Sequence, residues 1–234
     1  MRLGIIGLGR MGMNMARRLV EGGHGVVVFN RSADKVKEAE GFGAKGSESV
    51  EDLVELLADG EGPRIVWLMV PSGDVTEAMI EEVSGYLTKG DIIIDGGNTL
   101  YKDDLLRSEK LKKSGIEYMD VGTSGGIWGL TVGYCLMVGG DKGVFEVLEP
   151  IFKTLAPKDG YMYCGASGAG HYIKMVHNGI EYGMMEAYGE GFELIEASPY
   201  GNDIEFADVA ALWNKGSVVR SWLLELLESA FEKD

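Results

Sequence analysis

The sequence predicts an α/β domain built on a mostly parallel sheet, followed by an all-α domain. Three observations carry this. Short apolar runs alternate with amphipathic stretches as far as Cys164, glycines sit where apolar runs meet helical stretches, and no strand signal appears from His171 onward. Strands alternating with helices imply parallel pairing through right-handed crossovers.

The elements follow in order. Residues 3–6 are an apolar run closed by Gly7, and a helical pattern occupies 11–21. Valine-rich 25–29 is the second strand, with helical stretches near 33–40 and 50–58. Residues 65–70 form a third buried strand stopped by Pro71, and 75–87 reads as helix. Residues 91–95 hold Ile92-Ile93-Ile94, a fourth strand, then a charged helix at 103–114 and a fifth strand at 117–121. Shorter strands at 134–138 and 161–164 flank a helix at 142–155. Gly165-Ala166-Ser167-Gly168-Ala169-Gly170 marks a hinge. A long helix then runs toward Ala197, ahead of Pro199, with two more near 204–214 and 218–231. The expected division is an α/β domain over residues 1–165 and a helical domain over 166–234.

Composition narrows the function classes. Apolar residues make up 45 % and charged residues 25 % of 234, as in ordinary globular proteins, so a sizeable core needs no staples. The net charge of -15 repels nucleic acid and anionic membranes, so neither is an expected partner. An anionic substrate would need a local basic pocket, which makes individual Lys and Arg residues informative. Cys135 and Cys164 form neither a disulfide framework nor a CxxC site, which fits a reducing, cytoplasmic setting. The N-terminus offers no signal sequence, and no apolar run approaches the roughly 20 residues that span a bilayer.

Gly7-Leu8-Gly9-Arg10-Met11-Gly12 fits G-x-G-x-x-G. The first glycine makes a tight turn, the second admits a pyrophosphate to the backbone, and the third lets helix and strand pack closely. The helix start then offers free N–H groups and a positive dipole end to an anion. Following a strand and opening a helix, this motif makes the first domain a Rossmann-type dinucleotide-binding domain. An NAD site usually has Asp or Glu after the second strand, whereas this chain has Asn30-Arg31-Ser32. Asparagine removes a charge that would repel a 2′-phosphate, Arg31 offers a fork of donors and Ser32 a hydroxyl. NADP is therefore the expected cofactor, with NAD as the alternative. Val70, at the end of the third strand, joins the expected cofactor set.

In the helix after the hinge, Lys174, Asn178 and Glu181 fall on one face at 3.6 residues per turn. A surface stripe of paired charges would look the same in isolation. Tyrosines, methionines and glycines crowd these residues, however, and helical glycine costs roughly 1 kcal/mol against alanine. Gly179 and Gly183 thus suggest that a ligand or another helix comes close.

This helix, with its His177-Asn178-Gly179-Ile180-Glu181-Tyr182 run, resembles the catalytic helix of the 6-phosphogluconate dehydrogenase family. Other β-hydroxyacid dehydrogenases keep the lysine and asparagine but lack that run. Asp95-Gly96-Gly97-Asn98-Thr99 resembles the family's D-G-G-N-[ST] turn, and Ser124-Gly125-Gly126 its substrate-binding S-G-G. The segment from Trp213 to Ser221 is similar to its W-x-x-G-x-x-x-R-S. After S-G-G the long members carry two glutamates; Ile127-Trp128-Gly129-Leu130 here resembles the short bacterial and archaeal form. Against even that form the chain ends early, at Asp234, which suggests a C-terminal truncation.

The resemblance implies oxidative decarboxylation of 6-phosphogluconate. Lys174 would be the general base, Glu181 the acid that protonates the enediol carbon, and Asn178 and Asn98 would orient hydroxyls and nicotinamide. Ser124, Gly125 and Gly126 would hold the substrate carboxylate, His177 a hydroxyl, and Tyr182 and Arg220 the 6-phosphate. It also implies a homodimer or higher homo-oligomer. No metal is expected, because His24, His171 and His177 make no ligand cluster in the sequence. Two other readings stay open: a β-hydroxyacid dehydrogenase for an unphosphorylated acid, and a non-catalytic dinucleotide-binding dimer.

Overall fold

The computed structural model describes residues 1–60 and 62–233. The chain divides into two compact units, Met1–Met175 and Val176–Asp234.

The first unit begins β1 (Arg2–Ile6), α1 (Arg10–Glu21), β2 (Gly25–Phe29), α2 (Ala33–Glu40), β3 (Lys45–Gly46) and α3 (Val50–Ala58). It continues with β4 (Ile65–Leu68), α4 (Asp74–Tyr86), β5 (Ile92–Asp95), α5 (Tyr101–Lys112) and β6 (Glu117–Ser124). Then come α6 (Gly129–Val132), β7 (Cys135–Gly139), α7 (Lys142–Leu155), β8 (Tyr161–Gly165) and the first turns of α8 (Ala169–Glu196). The strands make one eight-stranded sheet in the order β3-β2-β1-β4-β5-β6-β7-β8. Every neighbouring pair is parallel except β6 with β7. The winding reverses at β1, and in such sheets ligands bind in the crevice beyond the strand carboxyl ends at that switch point.

Strand periodicity sorts the core onto the two sheet faces. Leu3, Ile5, Val28, Trp67 and Ile94 pack with Met15 and Leu19 of α1 and Phe152 of α7. Ile6, Val27, Val66, Leu68 and Ile93 pack with Leu53 of α3 and Ile80 and Val83 of α4. Burial on both faces is why these strands read as continuous apolar runs.

Several boundaries differ from the sequence reading. The two-residue β3 has no apolar run and is visible only through its pairing with β2. β6 runs on to Ser124 because β7 pairs with it there. In the second unit α9 (Phe206–Trp213) precedes α10 (Trp222–Phe231). Ser221 caps α10, its side chain accepting from Leu224 N, so residues 218–220 are loop and not helix.

The second unit has a small core. Among its described residues Phe192, Ala210 and Leu224 are buried, and the Phe192 ring meets Phe206 edge-on and Trp213 and Phe231 at a tilt, at centroid distances of 5.9, 5.4 and 4.9 Å. Much of its apolar surface is open, with Ile180 61 %, Tyr182 70 % and Leu194 73 % exposed. A Cβ placed on Gly179 or Gly183 meets nothing within 4 Å, so no other helix among the described residues approaches these glycines. Among the described residues no helix is long and apolar enough to cross a membrane.

Candidate active site

The glycine loop shows which glycines the chain itself requires. Gly7 has φ +99°, and a Cβ there would lie 2.4 Å from the Met69 carbonyl oxygen. A Cβ on Gly12 would lie 2.0 Å from the Gly7 carbonyl oxygen. Gly9 is different: its Cβ would meet no atom within 4 Å. Gly9 also precedes α1 without a side-chain cap, and the first turn of α1 carries no acid. Open space in front of an uncapped helix start suits a pyrophosphate, so the residues present fit a dinucleotide.

A cleft of about 460 Å³ opens at this loop. Of the expected cofactor residues, Gly7, Gly9, Met11, Gly12, Asn30, Arg31, Val70 and Asn98 line it, whereas Arg10 and Ser32 do not. Asn30 has a structural task that the sequence did not reveal. Its Oδ1 accepts from Leu8 N at 3.0 Å, fastening the end of β2 to the glycine loop. Phe29, Met69, Pro71, Val75 and Met79 also line the cleft and were missed. Val75 and Met79 stand one turn apart on α4, and that outward apolar pair was the available signal.

Lys174 reaches the same cleft, as does Thr123 of β6. Its helix sits almost on the strand backbone. A Cβ on Gly122 would lie 2.4 Å from Lys174 Cβ, and one on Gly170 would lie 2.4 Å from the Met137 carbonyl oxygen. Both glycines are therefore forced by the seat of α8 on β6 and β7. Ser124, Gly125 and Gly126 follow at the end of β6, outside the cleft lining. Gly125 (φ +122°) and Gly126 (φ +50°) turn the chain, and the next carbonyl, of Ile127, accepts from Asn14 Nδ2 of α1 at 3.2 Å. Cys135, paired opposite Ser124, has its thiol pushed up by burial and partly held down by the Lys174 charge.

Behind the cleft lies a buried charged cluster that the sequence reading did not foresee. Asp95, Asp104, Arg107, Asp120 and His171 are all essentially inaccessible. Arg107 Nη1 lies 3.0 Å from Asp95 and 3.4 Å from Asp104, and its Nε donates to Glu77 at 2.7 Å. Tyr118 donates to Asp104 at 2.7 Å, and His171 Nδ1 faces the other Asp104 oxygen at 2.8 Å. Burial would lower the His171 pKa, but the Asp104 hydrogen bond and the charges of Asp104, Asp95 and Asp120 outweigh it and raise it. Burial and the Asp104 charge push Asp120 up, against N–H donors from His171 and Gly168. The three histidines form no ligand group in the sequence, yet the fold sets His171 with Asp95 and Asp104, ligand atoms within 4.8 Å of one another. Arg107 already bonds both aspartates there and supplies the positive charge that a metal would bring.

The second unit holds the remaining expected residues. His177 Nδ1 lies 3.3 Å from Asn178 Oδ1 and 3.6 Å from Glu181 Oε2. Tyr182 is exposed on the same helix. Arg220 stands exposed in the loop before α10, which Tyr188 secures by donating to Val219 O at 2.6 Å and bonding Ser221 Oγ at 2.7 Å.

Glycine cradle, switch-point cleft and adjacent lysine define a dinucleotide-dependent oxidoreductase. Residues 2–165 match the NAD binding domain of 6-phosphogluconate dehydrogenase, and residues 170–234 match that enzyme's C-terminal domain. The NAD-dependent, decarboxylating 6-phosphogluconate dehydrogenase of Haloferax volcanii is 46 % identical over the whole chain, which spans 76 % of that protein. The NADP-dependent enzyme of Bacillus subtilis is 41 % identical over 99 % of the chain, which spans 50 % of it. The solved Plasmodium falciparum 6-phosphogluconate dehydrogenase superposes with TM-score 0.88 at 31 % identity, covering all of this chain and 52 % of that one. The chain belongs to the 6-phosphogluconate dehydrogenase family, and its first unit carries that family's NAD-binding domain.

Proposed function

We propose that this chain oxidises and decarboxylates 6-phosphogluconate to ribulose 5-phosphate and CO₂, reducing NADP, with NAD as the alternative. The observation that carries this is one cleft in the first unit, where Lys174 and Asn98 line the same space as the glycine loop. A base and an amide beside the dinucleotide are what removal of a hydride from a carbinol carbon requires.

Lys174 takes the proton of the C3 hydroxyl, which needs a neutral amine. The glycine loop, with Asn30 and Arg31, would hold a dinucleotide, which would supply the hydride acceptor for C3. Lys174, again protonated, then holds the new ketone oxygen while the carboxylate departs as CO₂ and its electrons move toward that oxygen. Glu181 protonates the carbon that lost CO₂. Asn98 and Asn178 orient the nicotinamide and hydroxyls, Ser124, Gly125 and Gly126 hold the carboxylate, and His177 holds a hydroxyl. Tyr182 and Arg220 take the 6-phosphate, for which a guanidinium fork is suited. Asn30, uncharged, and Arg31 favour a 2′-phosphate on the dinucleotide. In this reading residues 1–165 bind the dinucleotide, and 166–234 supply substrate contacts and an interface to a second copy. Open apolar side chains along α8, among them Ile180, Met185 and Leu194, support the interface. The cytoplasm is the proposed compartment, consistent with two free cysteines.

The test follows reduction of NADP and of NAD with 6-phosphogluconate and with gluconate. Reduction with 6-phosphogluconate, faster with NADP and far weaker with gluconate, is expected. Dinucleotide binding without reduction by either acid would refute it.

A further inference from the structure

Among the described residues of the first unit three carboxylates are wholly buried: Asp95 at the end of β5, Asp104 on α5 and Asp120 on β6. A buried carboxylate is tolerated only when charge and hydrogen bonds compensate it, so their bonds show what they hold. Asp95 Oδ1 accepts from Gly97 N at 2.9 Å in the turn that presents Asn98 to the cleft. Its Oδ2 pairs with Arg107 at 3.0 Å. Arg107 and Tyr118 both reach Asp104 Oδ1, and Asp104 Oδ2 receives His171 Nδ1 at 2.8 Å. His171 lies one turn before Lys174 on α8. Its own N–H donates to Asp120 Oδ2 at 2.9 Å, and Gly168 N donates to Asp120 Oδ1 at 2.7 Å. A run of bonds therefore joins the turn at 96–98 to the start of the lysine helix; the turn lines the cleft, and so does Lys174, one helical turn beyond His171. His171 Nε2 has no partner among the described residues, so Nδ1 alone ties the ring to the run.

We infer that Asp104 and His171 are positioning residues that fix Lys174 relative to the turn carrying Asn98, and so set the alignment of base and nicotinamide. This rests on the reading of Lys174 and Asn98 given under Proposed function. Neither residue touches the reactants. A displacement of the order of 1 Å in such an arrangement can cost about 10²-fold in rate.

The test compares His171→Ala with His171→Asn, whose amide offers a donor where Nδ1 stands. At a temperature where circular dichroism shows both variants folded, His171→Ala should lower kcat at least about tenfold, with dinucleotide Kd unchanged. His171→Asn should recover most of that loss. Amide exchange supplies a readout that needs no turnover. In His171→Ala, exchange should rise at 96–98 as well as at 169–174; in His171→Asn it should rise at neither. Exchange confined to 169–174, or a folded His171→Ala with wild-type kcat, would overturn the inference. A wild-type chain that does not oxidise 6-phosphogluconate would sink the proposed function, and exchange at 96–98 would still decide this one.

Discussion

The two units differ in how far each completes its own site. The first buries both faces of its sheet, and three parts of its cleft are held by the chain: Asn30 bonds Leu8, Lys174 sits on Gly122, and the turn at 96–98 hangs from Asp95. In the second, Phe192, Ala210 and Leu224 are the buried residues among those described, while Tyr182 and Arg220 stand exposed. Rigid placement demands burial around the functional group. The first unit supplies it from within, and the second leaves Ile180, Tyr182 and Leu194 largely exposed.

The largest effect is expected at the lysine. Lys174→Met keeps the stem against Gly122 and removes the base. Single-turnover dinucleotide reduction should fall about 10²–10⁴-fold, with dinucleotide affinity retained. A wild-type single-turnover rate would place the base elsewhere.

Next in size is the second unit's core. Phe192→Ala removes the ring on which Phe206, Trp213 and Phe231 converge and should cost about 3–5 kcal/mol. Amide exchange should rise across residues 176–233 while the sheet keeps its protection. Loss of protection in the sheet as well would show that the units unfold as one.

The two anion handles, one in each unit, should show smaller effects. Asn30→Asp with Arg31→Ala provides a 2′-hydroxyl acceptor and removes the phosphate partner. Aspartate at 30 can still accept from Leu8 N, so the loop survives. Preference should move toward NAD by about 10- to 150-fold, the worth of a charged hydrogen bond of roughly 1.5–3 kcal/mol. Arg220→Ala should weaken 6-phosphogluconate by a similar factor and gluconate hardly at all. Equal losses for both acids would make Arg220 a structural residue of its loop.

The smallest effect concerns pH. The His171 pKa is raised in the folded state, so its contribution to stability is complete below its ordinary value of 6.5 and is lost as pH rises through the higher folded value. Urea unfolding above pH 6.5 should show stability falling by at most about 1.4 kcal/mol per pH unit. His171→Asn should flatten that slope, and an unchanged slope in the variant would assign the titration to another group.

Much of this was legible in the sequence. The apolar runs gave the strands because both sheet faces are buried, and G-x-G-x-x-G gave the switch-point loop because backbone contacts force Gly7 and Gly12. The charged cluster was not legible. The helix carrying Asp104 and Arg107 reads as a solvated charged helix, and only tertiary pairing shows that both are buried. The bond from Leu8 N to Asn30 was not legible either, since it depends on β1 lying beside β2. Arg220 looked helical, since a capping serine one residue later shows itself only through the Leu224 N–H it accepts. Gly179 and Gly183 suggested a close neighbour, and the chain provides none among the described residues.

The central claim is that the lysine in this cleft drives oxidation followed by decarboxylation of 6-phosphogluconate. Released CO₂ and reduced dinucleotide, followed together in one reaction of the wild-type chain with Lys174→Met as control, test it most directly. One CO₂ is expected for each dinucleotide reduced, and neither product from the variant at a comparable rate. Reduction without CO₂, or both products from Lys174→Met at the wild-type rate, would contradict it.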